Sequence, residues 1–362
     1  MAYNLCGTFR MRSYHRLLTL TFITFISCCA DVRNAAAQSE YTITDLGTLG
    51  GPSSFAYGIN NSGHITGNSP PKAASNTHAF YFDDEMHDLG TLGSSGNVDL
   101  GSFSAGNKIN DSNQIVGTTL DDTGHPQAFS WDAQHGMQSL GLFNTNGAAI
   151  NSLGQIVGET ASITVGQIGQ AFMWDPRTGA QWLPPLPGCS LTNATGVNNS
   201  STVVGFCSSS TNSIRAFVWD NIHGIQALAP GALESIAWSI NNERQIAGSI
   251  TVNLGVGRAV TWASPSSTQQ LLPLIADPQG NVLNTDAYSI NDRGEVVGIA
   301  GQNAAIWIGS AGYLLDNLIL ASSGWHLIQA NAINNNGQIA GYGVINGQTH
   351  AFRLDPVKEN RR

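Results

Sequence analysis

The chain has 362 residues, of which 11% are charged and 41 are glycine, and its formal net charge is −9 at pH 7. That composition suits a turn-rich all-β protein. An acidic surface without basic clusters repels phosphate backbones and anionic lipid, which argues against nucleic acid and the membrane surface as partners.

Residues 1–37 read as a secretory signal peptide. Arg10, Arg12 and Arg16 form a positive leader, "LLTLTFITFISCCA" (17–30) is apolar but too short to span a bilayer, and Ala35 and Ala37 offer small residues for cleavage before Gln38. A lipoprotein signal using Cys28 or Cys29 is the rival, but Phe25 rather than leucine stands three residues before Cys28. Removing this segment takes four basic and one acidic side chain from totals of 15 and 24, leaving 11 and 23, a net charge of about −12. The expected address is secreted, periplasmic or otherwise extracellular. No later segment reads as a membrane span, and the tail 357–362 is too polar to anchor anything.

Residues 38–356 are organised by one phrase written seven times. It appears as "AYGINNSGHITG" (56–67), "GNKINDSNQIVG" (106–117), "GAAINSLGQIVG" (147–158) and "ATGVNNSSTVVG" (194–205), then as "AWSINNERQIAG" (237–248), "AYSINDRGEVVG" (287–298) and "ANAINNNGQIAG" (330–341). The anchoring residues are Asn60, Asn110, Asn151, Asn198, Asn241, Asn291 and Asn334. Each phrase reads as a β-hairpin in which asparagine opens a type I turn by bonding to the backbone two residues on. The residue three positions later takes the left-handed conformation, which glycine adopts without strain. Gly63, Gly154, Gly294 and Gly337 fit, Asn113 is a common substitute, and Ser201 and Arg244 predict less comfortable turns.

A second phrase follows each hairpin, from "HAFYFD" (78–83) through "RAFVWD" (215–220) to "HAFRLD" (350–355), with the alternation of a strand. A third, such as "MHDLGTLG" (86–93) or "YLLDNLI" (313–319), supplies a fourth strand. Four short strands in units of 40 to 50 residues predict a β-propeller with seven four-stranded blades. The seventh unit stops without its fourth strand, whereas the mature N-terminus opens with an unattached "YTITDLGTLGG" (41–51). That ribbon is expected to complete the last blade and close the ring, hiding the free edges. Small residues such as Ala56, Gly58, Ala148, Ala237 and Ala332 suit the crowded innermost strand. Trp131, Trp174, Trp219, Trp262 and Trp307 suit the third, where adjacent blades leave room for rings.

Of five cysteines, three lie in the leader. Cys189 and Cys207 remain, flanking the fourth hairpin so that both sulfurs approach its open end. An even pair in an exported chain reads as a disulfide; two buried thiols are the alternative.

The phrases "HAF" (78–80 and 350–352), "INNNGQIAG" (333–341) and "DLGTLGG" (45–51) resemble the bacterial extracellular repeat called the HAF family, and the likeness covers essentially all of the mature chain. The resemblance implies export and a repeat fold. It brings no activity, cofactor or catalytic residue with it.

Function must therefore come from the residues. The turns recur with little change, whereas the loops on the opposite side differ, as in "NSPPKAASNT" (68–77) and "ETASITVGQIG" (159–169). Unequal loops on a rigid ring are the usual carriers of recognition, so a ligand is expected on that face, at the mouth of the central channel. Tyr57, Trp238 and Tyr288 share one equivalent place on the inner strands and are the candidate ligand-binding aromatics, although packing between blades explains them too. The turns lack the alternating carboxylates of a calcium loop. His78 and His350 occupy a position filled elsewhere by Gln127, Gln170, Arg215, Arg258 and Asn303, so no metal site is expected. No nucleophile elbow, zinc helix, phosphate loop or redox motif appears. The reading is an exported, non-enzymatic, monomeric propeller that needs no cofactor and binds a protein or glycan. Its rivals are a polysaccharide hydrolase or lyase using a pair among Asp99, Asp121, Asp122, Glu159, Glu234, Asp277 and Asp286, and a purely structural surface module.

Overall fold

The computed structural model describes residues 40–72, 76–92, 103–160, 169–209, 213–253 and 255–357; the segment read as a signal peptide lies outside them. Each repeated phrase folds as a hairpin because its asparagine closes a turn. Oδ1 of Asn60 accepts from the N–H groups of Ser62 (3.1 Å) and His64 (3.0 Å), while the Gly63 N–H donates to the Asn60 carbonyl (3.0 Å). Gly63 takes φ 82°. The same left-handed backbone recurs at Asn113, Gly154, Gly294 and Gly337, and also at Ser201 (φ 57°) and Arg244 (φ 64°), where a Cβ makes it strained.

The hairpins extend into seven antiparallel sheets of four strands, each ordered outward from the axis. Blade one is Phe55–Ile59, Ile65–Ser69, His78–Phe82 and Met86–Asp88. Blade seven uses His326–Ile333, Ile339–Ile345 and Gln348–Pro356, then takes its outer strand from the other end of the chain. Tyr41–Asp45 pairs with the last strand, Tyr41 opposite Pro356 and Asp45 opposite Phe352. The molecule is thus a closed seven-bladed β-propeller.

Its core lies between blades rather than at one centre. Trp219 of blade four packs with Val157 and Leu183 of blade three, and Trp262 of blade five with Val204 and Val218 of blade four. Trp219, Trp262 and Trp307 are buried, whereas Trp131 and Trp174 are only partly so. The phenylalanines of the second phrase are more uniform: Phe80, Phe129, Phe172, Phe217 and Phe352 are all fully buried.

Blade six departs from expectation. Its outer strand ends at Leu314, and Leu315–Leu318 turns into a 3-10 helix that drops Leu315 and Leu318 into the core beside Leu327 and Phe352. Asp316 fixes this plug, accepting from the Leu327 N–H (2.7 Å) and meeting Nδ1 of His326 (2.8 Å). In blade four Cys189 and Cys207 form a disulfide across the hairpin's open end, their Cα atoms 5.8 Å apart.

Candidate functional site

The innermost strands share an irregularity that decides what the channel presents. In every blade the pairing of strands one and two slips by one residue, between Ala56 and Gly58 in blade one, Gly106 and Lys108 in blade two, and likewise around the ring. A bulge leaves its extra residue unpaired and re-aims it. The glycine ending each phrase makes this possible, because a Cβ on Gly67, Gly158, Gly205 or Gly298 would collide with a carbonyl oxygen of its own inner strand. Glycine inside a strand often marks such a close approach.

The seven extra residues are Tyr57, Asn107, Ala148, Thr195, Trp238, Tyr288 and Asn331. All seven, together with Lys108 and Gln329, line one chamber of about 450 Å³ in the loop-side half of the channel. The fold therefore brings Tyr57, Trp238 and Tyr288 together. It does so with inner strands, and among the described residues no variable loop contributes to the lining.

Below the chamber the seven branched residues that precede the asparagines, Ile59 among them, narrow the axis. At the turn-side mouth the asparagines form a circle. Nδ2 of Asn60 donates to the Asn110 carbonyl (3.0 Å), Asn110 to Asn151 (3.0 Å), Asn151 to Asn198 (2.9 Å) and Asn198 to Asn241 (3.1 Å). Asn241 donates to Asn291 (2.8 Å), Asn291 to Asn334 (3.0 Å), and Asn334 closes onto Asn60 (2.7 Å). A second rim follows the next residue along, where the Asn335 N–H donates to Oδ1 of Asn61 and that of Asn61 to Oδ1 of Asp111, both at 2.9 Å. This mouth spends its polar groups on itself.

The loop-side chamber does not. Trp238 Nε1 is buried with no acceptor among the described residues. Lys108 Nζ donates to the Tyr57 carbonyl (3.2 Å) and makes no ion pair among them, and burial lowers its pKa from 10.5 to about 8. Burial also raises the Tyr57 phenol, and together with the Asp286 charge it pushes Tyr288 up to about 12. The amides are held in place: Asn107 Nδ2 donates to the Gly147 carbonyl and Asn331 Nδ2 to the Ala56 carbonyl, both at 2.7 Å. Trp238 and Tyr288 meet edge to face with centroids 5.9 Å apart.

The acidic residues named for glycoside chemistry do not converge here. Asp99 lies outside the described residues, and none of the other six lines the chamber. Asp121 and Asp277 instead close their own turns, Asp121 accepting from the Thr123 (2.9 Å) and His125 (3.0 Å) N–H groups and Asp277 from Gln279 (3.0 Å) and Asn281 (2.8 Å). Glu159 accepts from Asn146 (3.0 Å), and burial pushes its carboxyl up to about 7. His78 and His350 each turn to a carboxylate on the neighbouring outer strand, Asp88 and Asp45, at 2.9 Å. No cluster of three or more potential metal ligands occurs among the described residues.

Sequence reasoning missed Lys108 and Gln329; Asn107 and Asn331 share the repeat position of Tyr57, but only the fold marks them as lining residues. For Lys108 the signal was present: the position after the bulge holds Gly58, Ala149, Gly196, Ser239, Ser289 and Ala332 in six blades, and lysine in one.

No family model matches the chain, and no curated protein sequence does. Solved structures match it in fold. A streptogramin B lyase aligns with TM-score 0.52 and 9% identity, over 88% of this chain and 100% of that one. A Mycobacterium tuberculosis puromycin-hydrolyzing peptidase aligns with TM-score 0.52 and 9% identity over 85% of this chain, which spans 53% of the peptidase. The β-propeller domain of Cps50 (Swd1) from Myceliophteria thermophila aligns at 0.46 and 12% identity, over 88% and 100% of the two chains. At such identities the likeness is one of fold, and the chemistry of these proteins does not transfer.

Proposed function

We propose that this chain is an exported binding module that captures a small ligand, or the protruding end of a glycan or protein, in the loop-side chamber of the propeller. The carrying observation is the convergence of all seven bulged residues on one concavity that joins aromatic faces to the Lys108 amine and to amides held in place by the backbone. A mostly apolar cleft with a few fixed polar groups, within roughly 300 to 1,000 Å³, is the usual form of a small-molecule site. The repeats' resemblance to exported HAF proteins and the apolar leader at 17–30 support an address outside the cytoplasm. The non-enzymatic reading is favoured by the lack of a lining carboxylate pair among the described residues.

Titration of the purified chain with a panel of glycans and peptides, read by tryptophan fluorescence and calorimetry, tests this. Saturable binding without product is expected, and Trp238→Ala or Tyr288→Ala is expected to weaken it at least about tenfold while the melting transition persists. Turnover of any panel member, or binding untouched by both substitutions, would refute the reading.

A further inference from the structure

The residue after the bulge faces the neighbouring inner strand so closely that a Cβ on Gly58 would lie 2.9 Å from Lys108 Cα. Six blades keep it small, as glycine, alanine or serine. Blade two places there one of the chain's three lysines, and its side chain lines both the chamber and the narrower channel beneath. Packing gives little reason for this choice, because a partly buried cation held by one carbonyl and no counter-charge adds little to a fold's stability.

A ligand supplies the reason. The chamber's charged lining group is the Lys108 amine, whose described partner is the Tyr57 carbonyl, and the Tyr57 and Tyr288 hydroxyls, each able to donate or accept, have no hydrogen-bond partner among the described residues. Asn107 Oδ1 adds an acceptor, held in place by the bond its own Nδ2 makes to the Gly147 carbonyl. Such a site favours an anion carried on a body with an apolar face and hydroxyl groups. We propose that the chamber recognises a carboxylate-bearing sugar, a uronate, whose carboxylate pairs with Lys108 and whose ring lies against Trp238 and Tyr288. This rests on the binding function proposed above and specifies its ligand.

The pairing is also pH-dependent. Burial holds the free lysine near 8, and a bound carboxylate would draw a proton onto it. The other titrating groups around the chamber are the Tyr57, Tyr288 and Tyr342 phenols, all raised by burial, with Asp286 acting on Tyr288 and Glu159 lying on the second strand of blade three. The phenols keep their protons through the range in which Lys108 loses its own.

Matched pairs offered to the full chain form the test: galacturonate against galactose oligomers, and a peptide with a free against an amidated C-terminus. Galacturonate is expected to bind and galactose not. Lys108→Met is expected to reduce galacturonate affinity at least about tenfold while retaining tryptophan fluorescence, and affinity in the parent is expected to fall as pH rises from 7 to 9. Equal binding of galacturonate and galactose, or a Lys108→Met chain that binds galacturonate as the parent does, overturns the inference and leaves the binding function standing. Preference for the free peptide terminus overturns the sugar assignment. Binding by none of the four probes overturns the uronate inference, and the wider glycan and peptide panel then decides the binding function.

Discussion

Nδ1 of His350 lies 2.9 Å from the Asp45 carboxylate, joining residues 305 positions apart across the seam of the ring. His78 and Asp88 make the same pair within blade one, so the seam copies an ordinary blade with a strand borrowed from the opposite terminus. This contact is exposed at Asp45, whereas Tyr41 is buried among Ile339, Leu354 and their neighbours. Tyr41→Ala is therefore expected to lower stability by about 3 kcal/mol, and Asp45→Asn by less than about 1 kcal/mol. Urea midpoints check both; indifference to the loss of Tyr41 would mean the ribbon does not hold the last blade.

Asn198 is 2% exposed, and its carboxamide both caps its own turn and donates to the Asn241 carbonyl. Asn198→Asp keeps the acceptor but aims a buried carboxylate at that carbonyl. The expected loss is about 2 to 4 kcal/mol at pH 7. Part of it returns at pH 4, where the protonated carboxyl can donate again, and thermal melts at the two pH values separate the cases.

Gly205 faces the Asn193 carbonyl where the inner strand bulges, with Phe217 closing the other side. Gly205→Ala is expected to cost about 3 kcal/mol or more, because the obstacle is backbone and cannot swing away. Glycine at φ > 0 is not the issue here, so a mild effect would indicate that the strand pairs without a bulge.

Arg244 holds a left-handed conformation at φ 64°, and its guanidinium reaches Asp220 only at 3.7 Å while 46% exposed. Strain outweighs so solvated a pair. Arg244→Gly is accordingly expected to gain about 1 kcal/mol, read as a higher denaturant midpoint at unchanged slope.

Burial places the Glu159 carboxyl near 7, above its ordinary 4.5. The folded chain then holds the extra proton between those values, so stability falls as pH rises through that window. Glu159→Gln preserves an acceptor for Asn146 and removes the charge. It is expected to exceed the parent's stability at pH 8 by about 1 to 2 kcal/mol, allowing for screening of a half-buried group, and to match it at pH 4. A constant difference across pH would assign the effect to packing instead.

Much of the architecture could be read from local chemistry. The asparagine turns, the third-strand aromatics and the missing outer strand announce themselves through short-range rules, and the ring follows by counting. What escaped was tertiary. Asn60 Oδ1 serves its own turn, which the phrase reveals, but its Nδ2 serves the next blade, which no neighbouring residue reveals. The bulges were signalled by seven in-strand glycines, yet the slip re-aims Tyr57, Trp238 and Tyr288 only once two strands are paired. The chamber could not be anticipated from the variable loops, because the inner strands line it. The strand expected over 313–319 in blade six stops at Leu314, and a short helix follows because Leu315 and Leu318 pack beneath blade seven.

The circle of side-chain amides also works as a gauge. Each link has the reach of one carboxamide, and the last closes within the same 2.7 to 3.1 Å as the rest, so the circumference admits one number of modules. An added or deleted copy would have to break the circle, whereas the loops beyond it can lengthen or shorten without altering the count.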